Sequence, residues 1–217
     1  NGGTGKIDFG YLLLDEDGSR AVNAETYNTY KGIGLSFNKW QYDWDNGIGL
    51  KADLKNVTLN NRDMRLWVGK AGRFSLGFTN NQYRRVYSDS GSNFTRRRST
   101  NIRATFQPSR YMKFFGGYGR QDKHGTDFYI LPAMNDTISR STDYAYKMYN
   151  VGTTIGDRYG LVRAEYRRFE YTDNAGVASD RTADQIDLYT SSTVPSMKWL
   201  YLAGGLNLRK DIVEATA

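Results

Sequence analysis

The sequence predicts an all-β protein, an antiparallel sheet of about eleven strands that crosses a membrane as a β-barrel. Apolar and polar residues alternate with a period of two along most of the 217 residues, which is the pattern of strands with one apolar and one polar face. Tight turns alternate along the chain with long polar loops, as in transmembrane barrels. Aromatic residues concentrate near strand ends, where such barrels carry their interface girdles.

The first half of the chain contains six predicted strands. Ile48, Leu50, Ala52 and Leu54, for example, alternate with glycine and charged residues, so their side chains share one face of a strand. The same alternation recurs in five neighbouring segments. The six strands are predicted at 5–14, 31–43, 47–57, 62–70, 73–82 and 99–107.

The second half continues the pattern with five more strands. Val162, Ala164 and Tyr166 alternate with charged residues, and the predicted strands lie at 110–121, 143–156, 159–172, 181–193 and 198–210. Many of them are longer than the five or six residues usual in a soluble sheet. Roughly ten residues is the length that a tilted strand needs to cross a bilayer.

The connections differ in length between the two ends of the predicted sheet. Tight turns are predicted at 45–47, 71–72, 108–109, 156–158 and 194–196, and long polar loops at 15–30, 83–98, 122–142 and 173–180. Only the connection near Asn60 breaks the alternation. Within the first tight turn, Asn46-Gly47 is the pair preferred in a type I′ hairpin. A soluble sandwich has no reason to separate its loop lengths in this way, so the pattern favours a barrel.

The composition is unusually polar for a folded domain. Apolar residues make up 39% and the net charge is +7, which approaches the composition of disordered chains. A barrel accounts for this polar composition, because it needs no apolar core. Lipid solvates its apolar face, and water or a guest molecule contacts its polar face. The longest aliphatic run is 12–14, which excludes a transmembrane helix. The absence of cysteine excludes disulfides, thiolate metal sites and covalent c-type haem attachment.

The charged residues at the polar positions of the alternating pattern form the candidate binding surface. A charge on the lipid-facing side costs about 2–4 kcal/mol at the bilayer midplane, so these side chains should face the barrel lumen. The excess of Lys and Arg among them suits an anionic content. The predicted lumen-facing residues are Lys51, Asp53, Lys55, Arg65, Arg73, Arg103, Lys113, Arg163, Glu165 and Arg167. The predicted interface aromatics are Trp40, Tyr42, Trp44, Tyr149 and Trp199.

Several stretches resemble a known family. They are 66–89, 119–127 and 141–174, and the opening at 5–38 with its Tyr27-Asn28-Thr29-Tyr30 segment is similar to that family's first hairpin. The chain thereby resembles the outer-membrane barrel of bacterial porin–cytochrome electron conduits, the decahaem-associated outer-membrane protein family. The similarity covers most of the chain, and it rests on the order of loose barrel motifs.

This resemblance implies a structural role. Members of the family sheathe a multihaem c-type cytochrome in the lumen, so that electrons cross the outer membrane. The barrel itself carries no haem, and haem reaches it only through the partner cytochrome. The family implies many more strands than this chain supplies. We therefore expect residues 1–217 to be a single β-barrel domain or the N-terminal portion of one, integral to the bacterial outer membrane and surrounded by its lipid.

Two other functions fit the sequence. A diffusion porin, general or anion-preferring, would use the same polar face, and a soluble basic all-β binding module would explain the positive charge. The run 96–98, with Arg84 and Arg85, could bind nucleic acid, but a solvated loop end or a patch facing lipid headgroups fits it better. We therefore expect no nucleic-acid partner.

No motif predicts catalysis or a metal site. His124 lies in a predicted loop, and no Ser or Cys nucleophile is placed beside it, so we expect no enzyme activity. The segment beginning at Asp15 resembles a calcium loop, but the position of the essential Glu is occupied by Thr26. A loose surface calcium site at 15–18 stays open as an alternative.

Overall fold

A computed structural model describes residues 2–13, 30–87, 93–131, 136–193, 196–197 and 200–214, with only the backbone described in 128–131 and 136–139. Within these ranges the chain forms one sheet of eleven antiparallel strands, which confirms the all-β prediction and the predicted strand number. The strands are β1 Gly2–Leu12, β2 Gly32–Asp43, β3 Ile48–Lys55, β4 Asp63–Lys70, β5 Phe74–Val86, β6 Phe94–Ser109, β7 Met112–Leu131, β8 Asp136–Gly156, β9 Gly160–Asp173, β10 Arg181–Thr193 and β11 Tyr201–Val213.

The sheet is a simple meander. Its spatial order is β1 to β11 in sequence order, and each strand pairs with its neighbours along the chain. In the described part of the chain no ladder joins β1 to β11, so the sheet has two edges. Successive antiparallel hairpins therefore account for the whole architecture.

The central hairpins extend further than the sequence predicts. The predicted loop 83–98 is wrong over most of its length, because 83–86 belong to β5 and 94–98 to β6. The predicted loop 122–142 is wrong in the same way, because β7 reaches Leu131 and β8 begins at Asp136. His124 consequently lies within β7, paired with Arg96, and not in a loop. Polar residues occupy both faces there, so the backbone ladder continues without an apolar alternation to reveal it.

Two tight turns differ from their prediction. At 44–47 the Trp44 carbonyl accepts a hydrogen bond from the Gly47 N–H at 2.9 Å, and Gly47 has a φ of 77°. A type I′ turn also needs a positive φ at Asn46, which that residue does not have. Gly47 therefore supplies the left-handed residue of a three-residue loop. The β6–β7 turn lies at 110–111 and not at 108–109, because β6 continues to Ser109.

A bulge in β2 keeps its apolar side chains on one face. Gln41 and Asn38 pair with Thr4 and Lys6 on one side, while Phe37 and Trp40 pair with β3 on the other. One extra residue in β2 absorbs both register shifts, and Lys39 has a φ of 50° there. Phe37 and Trp40 consequently point to the same side although they are three residues apart.

One face of the sheet is apolar and uncovered. A single row of paired residues crosses ten strands on this face: Tyr42, Leu50, Val68, Leu76, Ala104, Gly116, Val151, Tyr166, Ile186 and Leu208. We call this row, with the apolar residues flanking it on the same face, the apolar band. Val151 is 60% exposed and Leu206 is 53% exposed. Among the described residues only four apolar side chains are buried, Ala52, Leu59, Val86 and Ala183. The sheet therefore has no packed apolar core.

The β8–β9 turn gives a pH-dependent test of the fold. One carboxylate oxygen of Asp157 accepts hydrogen bonds from the backbone N–H groups of Tyr159 at 2.8 Å and Gly160 at 3.2 Å. These bonds favour the charged form and lower the pKa of Asp157. The charged carboxylate thus stabilises the fold at neutral pH, and this contribution is lost as the pH falls through the lowered pKa.

We expect Asp157→Asn to be less stable than the wild type at pH 7. The difference should shrink below about pH 4, where Asp in the unfolded chain becomes protonated, and vanish once folded Asp157 is protonated too. Denaturant midpoints of the two proteins between pH 7 and the acid limit of folding measure it. A difference that stays constant with pH would contradict the charge-based explanation.

Candidate functional site

The ladder register brings the predicted lumen-facing residues onto one face of the sheet. This face is opposite the apolar band, and we call it the polar face. One of its rows contains Gln41, Lys51, Trp67, Gly77, Arg103, Gly117, Asn150, Arg167, Gln185 and Arg209. Asp53, Lys55, Arg65, Lys113, Arg163 and Glu165 lie in neighbouring rows of the same face. Arg73 is the exception, because it lies in the turn that precedes β5.

Most acidic residues of the polar face are paired with a cation two residues away on the same strand. Arg65 lies 3.0 Å from Asp63, and Arg163 lies 2.8 Å from Glu165. Residues two apart in a strand point to the same side, so the sequence pattern itself produces these pairs. Their effect is to neutralise the carboxylates of the polar face locally.

Asp187 is the centre of a second network, which spans three strands. Its carboxylate accepts hydrogen bonds from Arg167 Nε at 3.0 Å, from Gln185 at 3.1 Å and from Asn207. Asn150 donates to Glu165 at 3.1 Å in the neighbouring strands. Asp187 is not among the predicted lumen-facing residues, although its parity with Gln185 in the predicted strand 181–193 is a usable signal.

Three cations of the polar face stand apart from these pairs. Within the described residues, Lys51, Arg103 and Lys113 form no ion pair. Lys51 instead lies 5.9 Å from the centre of the Trp67 ring, a cation–π arrangement. After the local pairs are taken into account, this part of the polar face keeps a positive charge.

A concave pocket coincides with that charge. It has a volume of about 530 Å³ and lies over β2 to β6. Lys51, Asp53, Arg65 and Arg103 line it, together with Trp67. Four of the predicted residues are therefore brought together with an aromatic surface, and the arrangement can hold an anionic group by guanidinium and ammonium contacts.

A second concavity, of about 440 Å³, lies near the loop end of β8 to β11. Tyr146 and Phe169 stack there, with ring centres 6.2 Å apart and planes at 28°. Arg181 and Arg209 line the same space, so cations and aromatic faces are again combined. Tyr146 and Phe169 are not among the predicted lumen-facing residues, because an aromatic side chain does not show which face of a strand is polar.

Phe115 packs closely against a glycine on the polar face. Its ring lies over Gly152, where a Cβ would come within 2.5 Å of the ring and 2.6 Å of the Ala164 carbonyl oxygen. The ring also contacts the Arg163 guanidinium, whose central carbon lies 4.7 Å from the ring centre. The size of Gly152 thereby helps to position one predicted lumen-facing arginine.

The predicted interface aromatics lie next to the apolar band. Trp40 and Tyr149 are on its face, and Tyr149 meets Tyr118 with ring centres 5.2 Å apart. Tyr42 belongs to the band itself, and it contacts Trp44 in the following tight turn at 4.8 Å. Trp199 lies outside the described residues.

No metal centre is found in the part of the chain that the structure describes, where no three His, Cys, Asp or Glu residues cluster. The segment 15–18, considered for calcium, lies outside that part. In the same described ranges, no helix is long and apolar enough to span a membrane.

Neither of two sequence comparisons gives a match for this chain. No protein-family model matches it, and no curated protein is significantly similar to it.

Proposed function

We propose that the chain forms the wall of a bacterial outer-membrane β-barrel, with the apolar band toward lipid and the polar face toward the lumen. The observation that carries the proposal is the exposed apolar row that crosses ten strands with no layer packed on it in the described structure. Contiguous exposed apolar surface of this extent is unusual for a soluble protein. In lipid, the same surface is solvated favourably, while the backbone groups are paired in the ladders.

Within this barrel we propose that the polar face surrounds and positions a multihaem c-type cytochrome. The support is the sequence resemblance at 66–89, 119–127 and 141–174, and the positive charge left at Lys51 and Arg103 after local ion pairing. Haem propionates and acidic protein surfaces are anionic, and both suit such a wall. The wall would insulate the haem chain from lipid and hold its spacing, while the electrons move through the partner alone.

A second candidate is an anion-preferring diffusion porin. The pocket over β2 to β6 supports it, because Lys51, Arg65 and Arg103 line an open concavity on the polar face. A water-filled lumen with that lining would attract small anions. The two candidates share the barrel and differ in whether the lumen holds a protein.

The test is to isolate the protein in detergent from its natural membrane and record haem absorbance across the purified complex. If the chain surrounds a cytochrome, haem should comigrate with it during purification. The complex should also show little conductance when it is placed in a bilayer. Replacing Lys51, Arg103 and Lys113 with Gln should lower the haem retained per barrel. The control replaces Lys31, Arg110 and Arg158 with Gln, which removes the same charge outside the polar face of the sheet.

Different outcomes separate the candidates. Haem-free material that conducts anions would overturn the sheath and support the porin. Equal haem loss in the two triple variants would show that the polar face does not contact the cytochrome. Full solubility without detergent would overturn both candidates and favour the soluble basic module.

A further inference from the structure

Four arginines gather on the face of the apolar band, beyond its end toward the long loops. On β5 and β6 the apolar pair Phe78–Ile102 is followed by Asn80–Thr100, then Gln82–Arg98, then Arg84–Arg96. Arg62, just before β4, joins them through a hydrogen bond from its Nε to Asn80 at 2.8 Å. We call Arg62, Arg84, Arg96 and Arg98 the arginine cluster. It differs from the polar face described above, because it lies on the opposite side of the sheet.

Buried amides hold two members of the cluster in place. Asn80 is 5% exposed and Gln82 is 1% exposed. Asn80 accepts from Arg62 and donates to Thr100 at 2.7 Å, while Gln82 accepts from Arg98 at 3.2 Å. The side chains of Arg62 and Arg98 are therefore oriented by the fold, in contrast to solvated surface arginines.

Three members of the cluster have no ion-pair partner among the described carboxylates. Within the described residues, Arg62, Arg96 and Arg98 form no ion pair, and the Nε of Arg96 is buried without a hydrogen-bond partner. Asp122 pairs with Arg98 in the ladder, but its carboxylate binds Arg120 at 2.8 Å. Burial, and secondly repulsion from Arg98, lower the pKa of the Arg62 guanidinium, as expected for neighbouring cations that lack an anion.

The next strands of the same face show the opposite arrangement. On this face Arg120 lies one step beyond Tyr118, while Arg168 pairs directly with Tyr149. Each of the two binds a carboxylate two residues along its own strand, at 2.8 Å and 2.9 Å. Arg120 and Arg168 are thus compensated within their own strands, in contrast to Arg96 and Arg98 on β6. The unpaired positive charge therefore lies in the arginine cluster, and Arg120 and Arg168 of β7 and β9 do not share it.

We propose that the arginine cluster binds the phosphorylated headgroup of an anionic membrane lipid. The inference rests on the proposed barrel, which immerses the apolar band in lipid. Strands rise about 3.4 Å per residue and tilt by about 45°, so Arg98 stands roughly 10 Å above Ile102, beside the headgroups. Guanidinium groups bind phosphate oxygens with paired N–H donors, and an anionic headgroup would supply the missing countercharge.

The experiment measures lipid preference of the intact protein in phosphatidylcholine vesicles that contain phosphatidylglycerol or a diphosphorylated lipid A. Lipid retained after detergent extraction is quantified by mass spectrometry. The test variant is Arg96→Gln/Arg98→Gln. The control is Arg97→Gln/Arg103→Gln, which removes the same charge from the same strand but on the polar face.

We expect the wild type and the control to retain phosphorylated lipid in preference to phosphatidylcholine. The test variant should lose this preference by roughly tenfold or more, and Arg96→Lys/Arg98→Lys should keep part of it because the charge remains. An equal loss in test and control variants would overturn the proposal. Displacement of the lipid by millimolar inorganic phosphate would also overturn it, since a free anion would then be the ligand.

Insertion into pure phosphatidylcholine separates this inference from the proposed function. If the wild type fails to insert there and into the anionic vesicles, the barrel proposal itself fails. If it inserts but shows no preference for phosphorylated lipid, only the headgroup site is overturned. If the test variant does not insert, the preference for phosphorylated lipid of the wild type and of Arg96→Lys/Arg98→Lys tests the headgroup site instead.

Discussion

Val151→Arg is expected to destabilise the protein in a lipid bilayer by about 2–4 kcal/mol, the cost of a cation on the lipid-facing midplane of a barrel. Val151 lies in the middle of the apolar band, paired with Gly116 and Tyr166, and it is 60% exposed. An arginine there has no carboxylate beside it in the same row. The measurement is urea-induced unfolding of the protein in vesicles, with the folded fraction followed by protease protection.

The matched control is Asn150→Arg. Asn150 is the preceding residue of β8, on the polar face, where it donates a hydrogen bond to Glu165. An arginine at 150 would keep a partner in Glu165 and a wet surface around it. We expect a change within about 1 kcal/mol, as for an exposed ion pair. If the two variants were equally destabilised, the apolar band would not face lipid.

Gly152→Ala is expected to cost about 1–3 kcal/mol, the usual penalty for forcing a larger group into a filled space. The added Cβ would lie 2.5 Å from the Phe115 ring and 2.6 Å from the Ala164 carbonyl oxygen. The ring can move, but the backbone oxygen belongs to the β9 ladder and cannot move without disturbing it. Loss of the Phe115 ring position would also remove its contact with Arg163.

Gly77→Ala is the control for this substitution. Gly77 is also on the polar face, and the nearest atom to an added Cβ, the Arg103 carbonyl oxygen, is 3.9 Å away. We expect a change within about 0.5 kcal/mol, with a small gain from the less flexible unfolded chain. Thermal unfolding in detergent compares the two variants. Equal shifts would mean that Phe115 yields freely and that Gly152 is not needed for its size.

The strands could be predicted from the sequence because apolar and polar residues alternate along them. In the proposed barrel the two faces of each strand meet different surroundings, lipid on one side and the lumen on the other. Leu50 and Lys51 are adjacent in β3, yet one belongs to the apolar band and the other to the polar face. Most strands that cross the band carry this signal, and all eleven observed strands overlap their predicted ranges. The shared face of the predicted lumen-facing residues follows from the same parity.

The signal ends where the apolar band ends. Arg96 and Arg97 occupy opposite faces of β6, so no alternation distinguishes that part of the strand from a loop. The sequence therefore does not predict the full length of the hairpins from β5 to β8. The ladder continues there through backbone hydrogen bonds, which do not depend on side-chain identity. Contacts such as the bonding of Asn207 to Asp187 depend on register between strands, which a one-dimensional pattern does not supply.

The meander topology has a consequence for how the protein assembles. Since every ladder joins strands that are consecutive in sequence, each new strand reaches its partner when only the loop between the two strands closes. Hairpins can therefore be added one at a time to a growing edge, and the entropy lost at each step stays small. In the described part of the chain no ladder joins strands that are distant in sequence. We expect this strand addition to be fast compared with folding of a β protein of equal size whose ladders join distant strands.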